Sequence, residues 1–340
     1  MKKIVCFGEI MARLNPIGNL RLVQAENLEI SYAGGEANVA VSLANYGKQV
    51  SFVTKLPKND LAKAALRKLR SYGVDVSDVI RGGERMGIYF VEKGASQRAS
   101  KVLYDRKNSS IATADEEDFD WEVIFQDAEW FHFTGITPAL SDKAAQLCLR
   151  ACEKAKEKGL QVSCDLNYRN KLWSKQKAEA VMSKLMQYVD VVIANEEDCE
   201  SVFGIKAADT DLTGGILSKE GYVEVAKKLS ERFQVPIVAI TLRSSLSASD
   251  NQWAGMLYKD GKSYFSKEYL IHIVDRVGGG DSFGGGLIYS LLTGYEPQQA
   301  IEFAVAASCL KHTIEHDFNE VTVEEVENLM KGDGSGRVQR

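Results

Sequence analysis

The residues best suited to chemistry stand together late in the chain, in Val277-Gly278-Gly279-Gly280-Asp281-Ser282-Phe283-Gly284-Gly285-Gly286, which runs into the apolar stretch Leu287 to Leu292. Glycines at the start of a helix leave backbone N–H groups bare. With the positive end of the helix dipole, those groups bind anions, and phosphate is the obvious one. Asp281 is of a type that caps helices, but a cap does not require three glycines before it and three soon after. The combination reads as a donor nest at Gly278, Gly279 and Gly280 for a transferring phosphoryl group, beside a base, Asp281, that takes a proton from an attacking hydroxyl. A second cluster, Ala33-Gly34-Gly35-Glu36-Ala37-Asn38, precedes another helical pattern. Alone it could be a turn. Beside the first cluster, Gly34 and Gly35 suggest close approach of backbone to a polyol, with Asn38 adding a donor and an acceptor.

Other phosphate motifs fail on spacing. Gly255 and Gly261-Lys262-Ser263 are separated by five residues where a Walker loop has four, and the segment reads as a hairpin. After the first strand only Gly8 stands where a dinucleotide fingerprint needs three glycines. No protein-kinase catalytic-loop and DFG set is present. His312 and His316 are spaced i, i+4 without a third ligand, so they read as helical surface residues rather than a metal site, His312 alone coming near an adenine.

Strand and helix patterns alternate around these clusters as in a parallel α/β sheet. Strands are expected at 3–7, 50–54, 129–133, 161–165, 189–193 and 236–241, and helices at 38–46, 60–72, 141–158, 174–187, 196–203, 219–233, 281–293, 297–313 and 322–331, with Asp60 as a cap and a polar loop from Phe203 to Leu217. Asp260-Gly261 signals a hairpin. Two interruptions, 13–33 and 84–110, suggest a small β appendage. The expected division is a core of 1–12, 34–83 and 111–331, a lid of 13–33 and 84–110, and a frayed tail at 332–340.

The 340 residues are 45% hydrophobic and 26% charged, which is globular and excludes disordered or fibrous classes. A net charge of −5 gives no electrostatic case for a nucleic-acid or anionic-membrane partner. No apolar run approaches the roughly 18 residues a spanning helix needs. Glu9 and Arg13 interrupt the place where a signal peptide keeps its hydrophobic stretch, so a cytoplasmic protein is expected. The six cysteines form no CxxC pair and read as buried free thiols.

The chain resembles the PfkB (ribokinase-like) carbohydrate kinases over nearly its whole length. Both family signatures occur in order, as GGEANVAVSLANYG (Gly34 to Gly47) and DRVGGGDSF (Asp275 to Phe283). Glu36, Pro57 and Arg276-Val277 depart from the usual wording. The resemblance implies a ribokinase-like three-layer α/β fold: a mainly parallel central sheet flanked by helices, plus a small β-sheet lid. The segments GIYFVEKGASQRASKVLYDR, DLNYRNKLW, ANEED and KHTIEHDFN are similar to the branch acting on 2-keto-3-deoxygluconate. They imply ATP-dependent phosphorylation, with Mg2+, of the terminal hydroxyl of a keto-deoxy sugar acid. Arginine suits a carboxylate, and Arg106 and Arg169 come from separate regions that could meet over one site. The resemblance further implies substrate contacts at Tyr89, Tyr104 and Asp317, and nucleotide contacts at Asn167, Asn195, Thr241, Arg243 and Ser244. Asn195 opens the family's NxxE element, with Asp198 in the fourth place. Neutral-sugar or nucleoside kinases of the same fold remain alternatives; a catalytically silent sensor is disfavoured by the intact Gly278 to Asp281 element. Apolar and tyrosine-rich lid strands suggest a homodimer through the lid, as in relatives.

Overall fold

Short apolar runs become the strands of one large sheet, because runs such as Lys3–Phe7 and Val50–Val53 carry side chains that need cover on both faces. The structure, a computed structural model, describes residues 2–207, 218–332 and 334. Residues 208–217 of the expected polar loop, and 333 and 335–340 of the expected tail, lie outside the described residues.

Among the described residues the central sheet has nine strands. Six are parallel, in the order Val50–Val53, Lys3–Phe7, Ala128–Thr134, Gln161–Asp165, Val191–Asn195 and Ile237–Ser245. Asp250–Lys259 then pairs antiparallel to Ile237–Ser245, and Lys262–Phe265 and Tyr269–His272 both pair with it. The hairpin at Asp260-Gly261 forms as expected, both residues having positive φ (52° and 73°). The strand expected at 236–241 runs on to Ser245 against its antiparallel partner.

Period-two alternation divides the core between the faces. Val5, Phe7, Phe131 and Phe133 pack with the helices Asp142–Glu157, Lys175–Leu185 and Lys219–Phe233. Ile4, Cys6, Trp130, Val191 and Ile193 pack with Gly35–Asn45, Asp60–Ser71, Gly279–Thr293 and Pro297–Lys311. Each fully buried aromatic or aliphatic side chain contributes about 1.5–3 kcal/mol. All six cysteines are free, and five are buried.

Two expectations change at the local level. The cap of Asp60–Ser71 is Asn59, which accepts from the Ala62 N–H at 3.0 Å. Asp281, expected as a base rather than a cap, is the third residue of Gly279–Thr293 behind the capping Gly278. Gly284, Gly285 and Gly286 serve packing rather than phosphate: a Cβ on Gly285 would stand 2.7 Å from Ser42 Cβ, and one on Gly286 3.0 Å from Ala304 Cα. Their absent side chains let three helices approach closely.

The appendage is a four-stranded sheet in the order Glu29–Ala33, Met11–Asn15, Ile88–Glu92, Lys101–Asp105, and so begins at Met11. Ile30 and Leu103 on it are about half exposed.

Candidate active site

A cavity lies over the carboxyl ends of the parallel strands, beneath the lid, where open α/β sheets bind ligands. Asp165 and Asn195 are the last residues of their strands, Thr134 is paired in register with Asp165, and Thr241 with Asn195. The sheet thus lays a row of polar groups along the cavity floor.

Asp281 projects into this cavity. Asn38 Nδ2 donates to its Oδ2 at 2.6 Å, across 243 positions of sequence. Removal from bulk water pushes the Asp281 carboxyl up to about 7, and the charges of Asp317 and Glu36 add to this. The Asn38 hydrogen bond and the Arg169 charge oppose it. A carboxylate poised near neutrality is suited to accept a proton. Gly34 and Gly35 line the cavity at the start of Gly35–Asn45. A Cβ on Gly34 would lie 1.9 Å from the Glu9 carbonyl oxygen, so backbone closeness excludes any other residue there.

Glu36 lines the cavity too and had no role in the sequence reading. Its Oε1 accepts from Thr134 N–H (3.0 Å), Thr134 Oγ1 (2.8 Å) and Thr137 Oγ1 (2.6 Å). Its carboxyl fills the space a side chain on Gly8 would take. Its departure from the family wording was the visible signal.

At the glycine-led helix, Gly278 and Gly280 line the cavity, and first-turn N–H groups have no carbonyl four residues behind them. Gly278 has φ 86°, and its Cβ would stand 2.0 Å from the Asp317 carbonyl oxygen. Gly279 is buried and absent from the lining: its N–H points back to Arg276 O at 3.4 Å, and its Cβ would meet the His312 ring. His312 is therefore not a surface residue. It is 3% exposed, with Nδ1 2.6 Å from Ser308 O and its ring beside Trp253, both rings lining the cavity. His316 is half-buried at φ 64°, outside the helix.

On the lid side the cavity takes in Tyr89, Tyr104, Arg106 and Asp317, and Arg169 lines it from the loop after Gln161–Asp165. Tyr89 and Tyr104 stack at 5.9 Å, and the Arg106 guanidinium lies 5.3 Å from the Tyr104 ring. Arg106 is not a free cation, since its guanidinium pairs with Glu9, to which Ser109 also donates. Asp317 is likewise engaged, by Arg13 (2.6 Å) and by the Tyr89 hydroxyl (2.8 Å). Arg169 is exposed and, among the described residues, makes no ion pair; its Nη1 donates to Tyr168 O at 2.9 Å.

At the opposite end stand Asn167, Asn195, Thr241, Arg243 and Arg276. Ser244 does not reach the lining, because successive strand residues alternate in direction. Asn167 holds φ 37°, an uncommon geometry for a residue other than glycine. Asn195 Oδ1 is committed to the Asp198 N–H at 2.8 Å, capping Glu196–Phe203. Burial pushes Asp165 well above the ordinary carboxylate range, with Asp198 and Asp281 adding, and burial raises Asp198 to about 6. Such under-compensated carboxylates fit a dication. Among the described residues no three acidic, histidine or cysteine groups form a metal cage, so Asp165 and Asp198 would hold Mg2+ together with water and phosphate oxygens.

A mainly parallel three-layer sheet, a β lid and a glycine-led helix carrying a cavity carboxylate define a small-molecule kinase of the ribokinase-like class. The pfkB family carbohydrate kinase profile matches residues 1–315, and the chain belongs to this family. It is 30% identical over 335 residues to a 2-dehydro-3-deoxygalactonokinase of Haloferax volcanii, covering 98% of each chain. The crystal structure of 2-dehydro-3-deoxygluconokinase from Thermotoga maritima superposes with a TM-score of 0.94 at 50% identity, covering 97% of this chain and 98% of that one. The fold extends to a putative ribokinase II from E. coli, solved in complex with ATP and Mg2+, with a TM-score of 0.80 at 16% identity over 97% and 99% of the two chains. No helix among the described residues is long and apolar enough to cross a membrane.

Proposed function

We propose that this protein transfers the γ-phosphoryl group of ATP to the terminal C6 hydroxyl of a 2-keto-3-deoxy sugar acid of the gluconate or galactonate type. The observation that carries this reading is the placement of Asp281. Its carboxyl, held by Asn38 and raised to about 7, stands beside the first turn of Gly279–Thr293, in a cavity that also holds Arg169, which makes no ion pair among the described residues.

Asp281 takes the proton of the sugar's terminal hydroxyl, the oxygen attacks the γ-phosphorus in line, and the bond from that phosphorus to the β–γ bridging oxygen breaks to release ADP. N–H groups of Gly278, Gly280 and Asp281 receive the charge that develops on the transferring group, the Gly279 N–H being turned back to Arg276 O. Arg243 and Arg276 lie at the nucleotide end, and Arg169 binds the sugar carboxylate, with Arg106, held by Glu9 against the Tyr104 ring, lining the same cavity. Magnesium, when bound with ATP, neutralises charge on the phosphate oxygens. The lid excludes water that would otherwise compete for the phosphoryl group.

ATP consumption is measured with 2-keto-3-deoxygluconate, its galactonate epimer, fructose and a nucleoside, with the phosphorylated position read by NMR. Turnover on a keto-deoxy acid and phosphate on C6 are expected. Preference for fructose or the nucleoside would replace the reading with one of the neutral-substrate kinases. The half-exposed apolar residues Ile30 and Leu103 of the lid support a dimer through this sheet; sedimentation at micromolar protein showing only monomer would remove it.

A further inference from the structure

Beneath the phosphate-side loop lies a buried cluster of two cations and two anions. Arg13 and Lys311 are fully buried, and Asp275 and Asp317 are 2% and 4% exposed. An ionised side chain in such a place is costly unless every charge and hydrogen-bonding group is satisfied. The cluster meets that condition for both carboxylates, the ammonium and two of the three guanidinium nitrogens, Arg13 Nε alone being left without a partner. Arg13 donates to Asp275 Oδ2 at 2.5 Å and to Asp317 Oδ1 at 2.6 Å. The Asp275 carboxylate also accepts from Val277 N–H (3.2 Å) and His316 N–H (3.1 Å).

Lys311 uses all three ammonium donors on backbone carbonyls: Asp275 O at 3.3 Å, Ile314 O at 3.4 Å and His316 O at 2.5 Å. It closes the helix Pro297–Lys311, whose negative dipole end favours a cation. Its three acceptors belong to two segments that meet at the site. Asp275 opens the loop that reaches Gly278 and Gly280, and Ile314 and His316 lead into Asp317. The two segments touch where Gly278 stands against the Asp317 carbonyl. A lysine kept only to fill space would be replaceable by methionine, whereas this one is the shared hydrogen-bond donor between the loops.

We infer that Lys311 is a positioning residue for phosphoryl transfer: its ammonium clamps the carbonyls of Asp275, Ile314 and His316, fixing the Gly278–Gly280 turn relative to Asp317. The inference rests on the kinase reading, and wild-type turnover on a sugar acid is measured first so that a failure of that reading is seen separately. In Lys311→Met, kcat falls by about 100-fold, the scale of a misplacement of roughly 1 Å, while KM for the sugar acid stays within about twofold. In Lys311→Ala, methylammonium restores kcat saturably and tetramethylammonium, which has no N–H, does not. Lys311→Arg keeps the buried charge and provides a variant that folds; its bulkier head displaces the carbonyls and lowers kcat at constant KM. Hydrogen exchange of 275–281 and 314–317 rises together in the variants, whatever the turnover. A folded variant with wild-type kcat, or loss of stability alone with unchanged exchange in both segments, overturns the inference.

Discussion

Asp281 and Gly278 allow the sharpest single-residue tests. Asp281→Asn keeps the shape and the hydrogen-bonding partner Asn38 but cannot accept a proton, so kcat is expected to fall by about 10²–10⁴-fold with KM barely changed. Because the ionised carboxyl is the active form and its raised value lies at about 7, kcat/KM of the free enzyme rises with pH through neutrality and levels off above it. The limb is lost in Asp281→Asn; a wild-type limb at the ordinary carboxylate value near 4 would count against this assignment. Gly278→Ala meets both a left-handed backbone and the Asp317 carbonyl and should abolish turnover in protein that remains folded, as judged by circular dichroism. Arg169→Ala is expected to raise KM for acid substrates alone, which competition with the neutral sugar measures. Arg106 is the less selective probe, since its loss also strands Glu9. The Asp281 and glycine assignments came from residue type and spacing. The partners of Arg106 and Asp317 could not, because Glu9 and Arg13 lie 97 and 304 positions away.

Elements carry the connection between lid and core. Met11–Asn15 brings Arg13 from the lid to Asp275 and Asp317 of the core. Arg13→Met strands two buried carboxylates and is expected to cost about 3–5 kcal/mol, read as a lowered urea midpoint. An unchanged midpoint would mean that water reaches the cluster. By contrast Asn59→Ala removes one cap from Asp60–Ser71 and should cost about 1 kcal/mol, with activity at the stable temperature unchanged. Most elements were legible: apolar runs of four or five residues marked the parallel strands, and Gly47, Gly73 and Gly159 closed the helices before them, each at positive φ. The cap at Asn59 was missed because two adjacent residues, Asn59 and Asp60, are both good caps. The continuation of the strand to Ser245 was missed because its support is the partner Asp250–Lys259, not its own composition.

Across the whole molecule, a net charge of −5 has to accommodate two anionic substrates. The cavity itself is lined by four arginines, Arg106, Arg169, Arg243 and Arg276, and by seven acidic residues, among them Asp165, Asp198 and Asp281. ATP therefore enters a site with an acidic surplus, and a dication must come with it. Chelation of magnesium is expected to abolish turnover and to weaken ATP binding in calorimetry, whereas sugar-acid binding at the arginine end survives. Equal ATP affinity with and without magnesium would contradict this balance. The sequence alone was enough for the order of strands and helices along the chain, the glycine-led helix start with its carboxylate and the second glycine pair, since each depends on neighbours a few residues apart. Only the tertiary structure decided which charges are free to meet a ligand and which are spent on one another. Arg169 is open while Arg106 and Asp317 are paired, and Arg13 and Lys311 are hidden beneath the phosphate side. The reason is physical: ionisation and pairing depend on burial and on contacts across the sheet and lid, which no local pattern encodes.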